Sequence, residues 1–281
     1  MFNLFLHEIR SRRTAILGWG IGIAIFGLLI ISIYPQFEGQ LDAFNIDEIE
    51  FYQLIGDFGD FAQFPGFVAA EMFVFIPILL AIYAITNGTG TLAGEEDDGT
   101  LEPLMALPLH RWQLVTTKVI ALGIALFAIL LIGSAGELMA YVMLPSDVNL
   151  GGVGASDLLV ATIALWPLIM VFASLSLFLG AFMPSSPPPA AVATLILVIT
   201  YFGNNLSGMV EFLEKIKWIF PFNYHNGQAV LENGVDIGDA LVLLGISLVF
   251  FLLALISFQR RNVTVGAWLW QRPQIPGEVR A

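Results

Sequence analysis

Long stretches without a charged residue constrain this chain more than anything else in it. They run through residues 14–34, 72–93, 119–136, 158–210 and 240–259. A bilayer crossing takes about 20 mostly apolar residues, so each of these can span a membrane, and the fourth is too long to be one helix. It is interrupted by Pro184-Ser185-Ser186-Pro187-Pro188-Pro189, where successive prolines remove amide donors and clash with a helical backbone. Two spans joined by a tight turn are predicted there, making six in all. A helix satisfies its own backbone in lipid, so the expectation is an all-α polytopic membrane protein, one transmembrane domain over residues 1–281. The spans are expected at about 14–34, 67–92, 113–144, 158–183, 189–210 and 239–259.

Composition supports this. Only 12% of the 281 residues are charged and 57% are apolar, against roughly 25% charged in an ordinary soluble domain. With no cysteine, disulfides, thiolate metal sites and cysteine nucleophiles are excluded. If the N-terminus is inside, Arg10, Arg12, Arg13, Arg111, Lys118, Arg260, Arg261, Arg272 and Arg280 fall at the cytoplasmic face and only Lys215 and Lys217 fall outside. That is the positive-inside pattern, and it predicts both termini in the cytoplasm. The net charge of -12 then comes mainly from external acidic residues between the first two spans, so it signals neither nucleic acid nor a basic partner. The first apolar run exceeds the 7 to 15 residues of a signal-peptide core and lacks a cleavage pattern, so it is expected to stay as an anchor. Ahead of it, Phe2, Phe5, Leu6 and Ile9 recur at helical spacing, as in an amphipathic interfacial helix or an ordinary basic flank.

Catalytic signatures are absent. No glycine is followed by lysine, so there is no P-loop, and His7, His110 and His225 are scattered without metal spacing. No cofactor or metal site is expected in this chain, and enzymatic activity is not.

The segment between the second and third spans carries the information. Gly94-Glu95-Glu96-Asp97-Asp98-Gly99-Thr100-Leu101-Glu102-Pro103-Leu104-Met105-Ala106-Leu107-Pro108-Leu109-His110-Arg111 offers Thr100 as an N-cap, acidic residues at a helix start, and Leu101, Leu104, Met105 and Pro108 on one face. It reads either as a short surface helix or as a capped turn with an acidic collar. Glu96, Gly99, Thr100, Leu101, Glu102, Leu104, Ala106, Pro108, Arg111 and the following Lys118 form a pattern that resembles the loop of type-2 ABC exporter permeases, with Pro103 and His110 departing from it. The resemblance extends to Phe220-Pro221-Phe222-Asn223-Tyr224 and to Phe258-Gln259-Arg260-Arg261-Asn262-Val263 near the end.

It implies that the loop, including Met105, is a coupling helix seated in an ATP-binding subunit. ATP and magnesium would then be bound by that partner, with two such subunits serving this chain and a second permease copy or close paralogue. It also implies a prokaryotic plasma membrane and a re-entrant external segment before the last span.

Four further features remain. Residues 209–220 alternate apolar and charged side chains; Phe212 and Ile216 would belong to an external gate or a passive interfacial helix, with Asn204 and Asn205 lining the same vestibule. Glu137, in the outer half of the third span, is the leading pathway residue, or else an interhelical hydrogen bond. Glu71 is expected at the interface. Gly18 and Gly22 form a Gly-x-x-x-Gly pair that permits close helix approach within the subunit or across a dimer seam.

Overall fold

The computed structural model describes residues 2–38, 63–101, 110–183 and 187–260. Among these residues six helices are long and apolar enough to cross a membrane: α1 (Phe2–Phe37), α2 (Phe64–Asp97), α3 (Arg111–Met143), α4 (Ala155–Phe182), α5 (Pro187–Asn205) and, last of the described elements, α8 (Ile237–Arg260). Between α5 and α8 lie two short helices, α6 (Glu211–Ile216) and α7 (Gly227–Asn233), with single 3-10 turns around them. No strand occurs among the described residues. The chain is a multi-pass membrane protein, all-helical among the described residues.

The expected spans are all present, but the first differs at its start. Residues 2–13 are not a separate interfacial helix; they continue into the span as one 36-residue helix. The reason is visible in the packing, because Glu8 turns inward and is buried, which draws this segment onto the bundle rather than along a surface.

Prolines set the irregularities. Pro77 cannot donate to the Phe73 carbonyl, and a π-helical turn at Ala69–Phe73 precedes it. Pro167 cannot donate to the Ile163 carbonyl, and α4 is broken there between Ala155–Ile163 and Leu165–Phe182. The three prolines that open α5 are tolerated because first-turn amides have no intrahelical acceptor. A second π turn, Gly90–Gly94, lies near the end of α2.

α2, α3 and α4 are largely enclosed, whereas α1, α5 and α8 present exposed apolar faces such as Leu17, Ile21, Ile25 and Leu29 on α1. α1 packs along α3, while α4 takes α2 on one side and α8 on another. Without a hydrophobic drive between helices in lipid, small residues let backbones approach. A Cβ on Gly20 would meet Ile132 at 2.8 Å and one on Gly133 would meet Ile23 at 2.7 Å. One on Gly136 would collide with the Ala24 carbonyl. Gly18 and Gly22 have nothing within 4 Å. The Gly-x-x-x-Gly pair therefore faces out, and the seam inside the subunit uses the neighbouring face.

The two ends of the bundle can be identified by their contacts. Glu8, Glu95, Lys118, Arg111 and Phe258 meet at one. At the other, the Tyr34 hydroxyl donates to the Asn149 carbonyl at 3.4 Å, and the Asn149 amide donates to Glu38 at 2.9 Å.

Candidate functional site

The site begins where α2 ends. Gly99 has φ +68, the left-handed region that glycine adopts without a Cβ clash. The Thr100 amide donates to the Glu95 carbonyl at 2.9 Å and the Gly99 amide to the Glu96 carbonyl at 3.1 Å, the paired closure of a Schellman motif. The Thr100 hydroxyl adds a third bond to the Glu95 carbonyl at 3.2 Å. Gly99 and Thr100 thus stop α2 and aim the chain back. The amides that Thr100 is expected to cap lie outside the described residues, as do Glu102, Leu104, Met105 and Pro108.

Leu101 is the first side chain after the turn. It is 1% exposed and lies in an apolar cluster with Leu92, Leu114, Val115, Leu177, Ala181, Ala254 and Phe258. It anchors the start of the loop in the core. Glu96 is also buried. On the far side of the loop Arg111, which opens α3, donates to the Phe258 carbonyl of α8 at 3.3 Å, and the Gln113 side chain accepts from the His110 amide at 3.0 Å. Both ends of the loop are therefore held.

Beside these anchors sits a buried ionic cluster. Lys118 of α3 is 0% exposed, with its Nζ 2.7 Å from Glu8 Oε1 of α1 and 2.6 Å from Glu95 Oε1 of α2. Arg12 lies 3.4 Å from Glu8, donates to Asn87 Oδ1 at 2.9 Å and to Thr91 Oγ1 at 3.0 Å. Two cations and two carboxylates balance, as buried charges must. Asn87 and Thr91 stand four apart on α2 and so face the same way; Thr91 belongs to the second π turn. A cleft of about 720 Å³ opens between α1 and α2 here, with His7, Ser11, Arg12, Asn87, Thr91 and Glu95 in its walls.

The sequence pattern includes Lys118 in the loop motif but does not join it to Glu8, and it passes over Asn87 and Thr91. The signal available for that pair was two polar residues at i and i+4 ending an otherwise apolar span.

The candidate pathway residues lie on α3, at the end of α5 and on α6. Glu137 is 0% exposed on α3; its Oε2 accepts from the Thr162 hydroxyl of α4 at 2.7 Å, and its side chain lies against Gly27 of α1. Asn204 and Asn205 are half-buried at the end of α5, where Asn205 hydrogen-bonds Tyr201 and the Ser207 hydroxyl donates to the Asn204 carbonyl at 2.6 Å. Phe212 on α6 is exposed and Ile216 half-buried. Glu71 is half-buried within the first π turn of α2.

The turn Pro221–Tyr224 follows and drives Phe222 into the helices, its ring 5.6 Å from Phe172 and 5.3 Å from Tyr201. Next to it His225 has its Nε2 enclosed without a hydrogen-bond partner among the described residues. Burial pushes its imidazole down to about 4. α7 is framed by Asn226, whose side chain accepts from the Ala229 amide at 3.0 Å, and by Gly234 at φ +81.

Among the described residues no cluster of His, Cys, Asp or Glu is placed to hold a metal. No curated protein matches the chain by sequence. A family model described as "ABC-2 family transporter protein" matches residues 2–263, nearly all of it. Permeases of that family are membrane subunits, generally without catalysis of their own, that work with ATPase subunits. The chain belongs to the ABC-2 family of transporter proteins, as an ABC transporter permease.

Proposed function

We propose that this permease is the membrane-spanning unit of an ATP-driven exporter and that the bundle end bearing Lys118 faces the cytoplasm. The loop from Glu95 to Arg111 would enter a separate ATP-binding subunit, with Glu102, Leu104, Met105 and Pro108 supplying the contact. Two such subunits, binding ATP and magnesium, would serve this chain and a second copy or close paralogue in a prokaryotic plasma membrane. The observation that carries the reading is that the loop is fixed at both ends, by the Gly99–Thr100 closure and buried Leu101 on one side and by the Arg111–Phe258 bond on the other. A loop held in this way can pass force into the helices instead of absorbing it. The basic residues Arg10, Arg12, Arg13, Arg111, Lys118 and Arg260 support the orientation.

In this mechanism closure of the ATPases displaces the loop, the helices shift as rigid bodies, and an amphipathic substrate leaves between two permease subunits. The exit would be gated by the segment that carries Phe212, Ile216 and Phe222. The re-entrant character of that segment is supported by Phe222 meeting Phe172 within α4 rather than at its end.

The test is affinity purification from native membranes in mild detergent, comparing wild type with Glu102→Lys and Leu104→Asp. Wild type is expected to bring an active ATPase and both variants to lose it. A wild-type permease recovered alone, without ATPase activity under several extraction conditions, would overturn the reading.

A further inference from the structure

The ionic cluster does something that the loop's anchors alone do not. α1 runs along α3, but its close approach to α2 lies mainly over residues 64–73, at the bundle end away from the loop. At the loop end the cleft separates α1 from α2. Polar side chains cross that gap: Arg12 reaches Asn87 and Thr91, and Lys118 holds Glu8 of α1 and Glu95 of α2 at once. Glu95 is also the residue whose carbonyl receives both the Thr100 amide and the Thr100 hydroxyl. One residue therefore takes part in the turn that starts the loop and in the contact that reaches α1.

We infer that Lys118, with Glu8, Glu95 and Arg12, is a clamp that makes α1 move with the loop, so that Lys118 is a positioning residue for transmission to the first helix. The inference rests on the exporter reading above. Burial is what suits the cluster to the task. An exposed ion pair exchanges partners with water at little cost, whereas here the ammonium is 0% exposed and Glu8 8% exposed, with Glu95 at 24% on the cleft side, so parting Lys118 from its carboxylates leaves a buried charge uncompensated. Geometry adds to this, because the three tied helices come from residues 8, 95 and 118 and their ties converge on a single nitrogen atom. Arg12 supplies a second tie one helical turn further along α1, to the π turn of α2.

The chain has no cysteine, so Arg13→Cys and Asp98→Cys, both at exposed positions, introduce two spin-label sites per copy, one on α1 and one at the loop, with dilution by unlabelled permease isolating the distance within one copy. The complex is purified with its ATPase, the ATPase carrying serine for cysteine, and the label distance is measured with and without ATP and vanadate. In the otherwise unaltered permease the distance is expected to stay the same in both states. In Glu95→Gln it is expected to change with nucleotide by about 5 Å, the scale of a one-turn helix slip. Glu8→Gln, on α1 and outside the loop, breaks the same tie without touching the docking segment and is expected to behave alike. A merely structural role would lower stability in these variants but would not make the distance follow nucleotide. If the distance in both variants is as indifferent to nucleotide as in the unaltered chain, the inference is overturned and the exporter reading stands. If the unaltered chain recovers no ATPase, the exporter reading falls and the inference with it.

Discussion

Thr162 donates its hydroxyl hydrogen to Glu137 across the α3–α4 contact at 2.7 Å, and neither side chain has any exposed surface. The other carboxyl oxygen, Oε1, has no hydrogen-bond partner among the described residues, so the threonine is the one described group that satisfies this acid. Thr162→Val should therefore cost about 1–2 kcal/mol, and Glu137→Gln, which keeps an acceptor for Thr162, should cost less. Thermal unfolding of the purified protein in detergent ranks the two. Combining them isolates the pair, because residues in contact are not additive.

The seam between α1 and α3 makes a sharper prediction, since two kinds of glycine lie on one helix surface or its partner. Gly136→Ala places a methyl group against the Ala24 carbonyl, whereas Gly18→Ala and Gly22→Ala add one into open space. The first should destabilise by about 1–3 kcal/mol, the range for overpacking; the other two should leave the isolated subunit within about 0.5 kcal/mol of wild type. Fluorescence-detected size exclusion after a heating series distinguishes them.

The Lys118 cluster should show the asymmetry of buried ion pairs. Lys118→Met alone leaves Glu95 without a cation and Glu8 with Arg12 only, and should cost about 3–5 kcal/mol. Removing the Glu95 charge as well, Lys118→Met with Glu95→Gln, keeps the Glu8–Arg12 pair and should recover most of that loss, because the expensive state is the broken pair and not the missing one. Unfolding midpoints of the single and double variants decide it.

Outside the spans, His225 gives a pH dependence whose sign is fixed by its burial. Its folded value is depressed to about 4 from an ordinary 6.5, so the folded protein binds fewer protons than the unfolded one between those values. The stabilisation is fully present above pH 6.5 and is lost progressively as pH falls toward 4. His225→Gln should flatten this part of the stability profile relative to wild type while leaving the carboxylate-driven decline below it. Midpoints taken every half unit from pH 7.5 to 4 test the difference.

What the sequence made legible was whatever repeats locally. Charge-free runs gave six spans, and the run from Pro184 to Pro189 marked the break before α5. The start of α1 was not legible, because Glu8, Arg10, Arg12 and Arg13 look like a water-facing flank until Lys118, 110 positions away from Glu8, supplies a buried partner. Long-range pairing leaves no local period. The glycine seam shows the same limit: Gly18 and Gly22 carry the recognisable spacing, yet Gly20 and Gly27 lie on the face that meets α3. At the site, helical spacing put Leu101 on one face with Leu104, Met105 and Pro108, and only the packing shows its side chain enclosed among Leu92, Leu114 and Phe258.

The central claim is that the loop after Leu101 touches an ATP-binding subunit. It is tested most directly by placing a photo-crosslinking amino acid at position 104 in the full-length permease, with position 212 as the control at the opposite end of the bundle. After irradiation of native membranes, an adduct that binds a labelled ATP analogue is expected from position 104 and not from position 212. No adduct at 104, or the same adduct from both positions, would contradict the account.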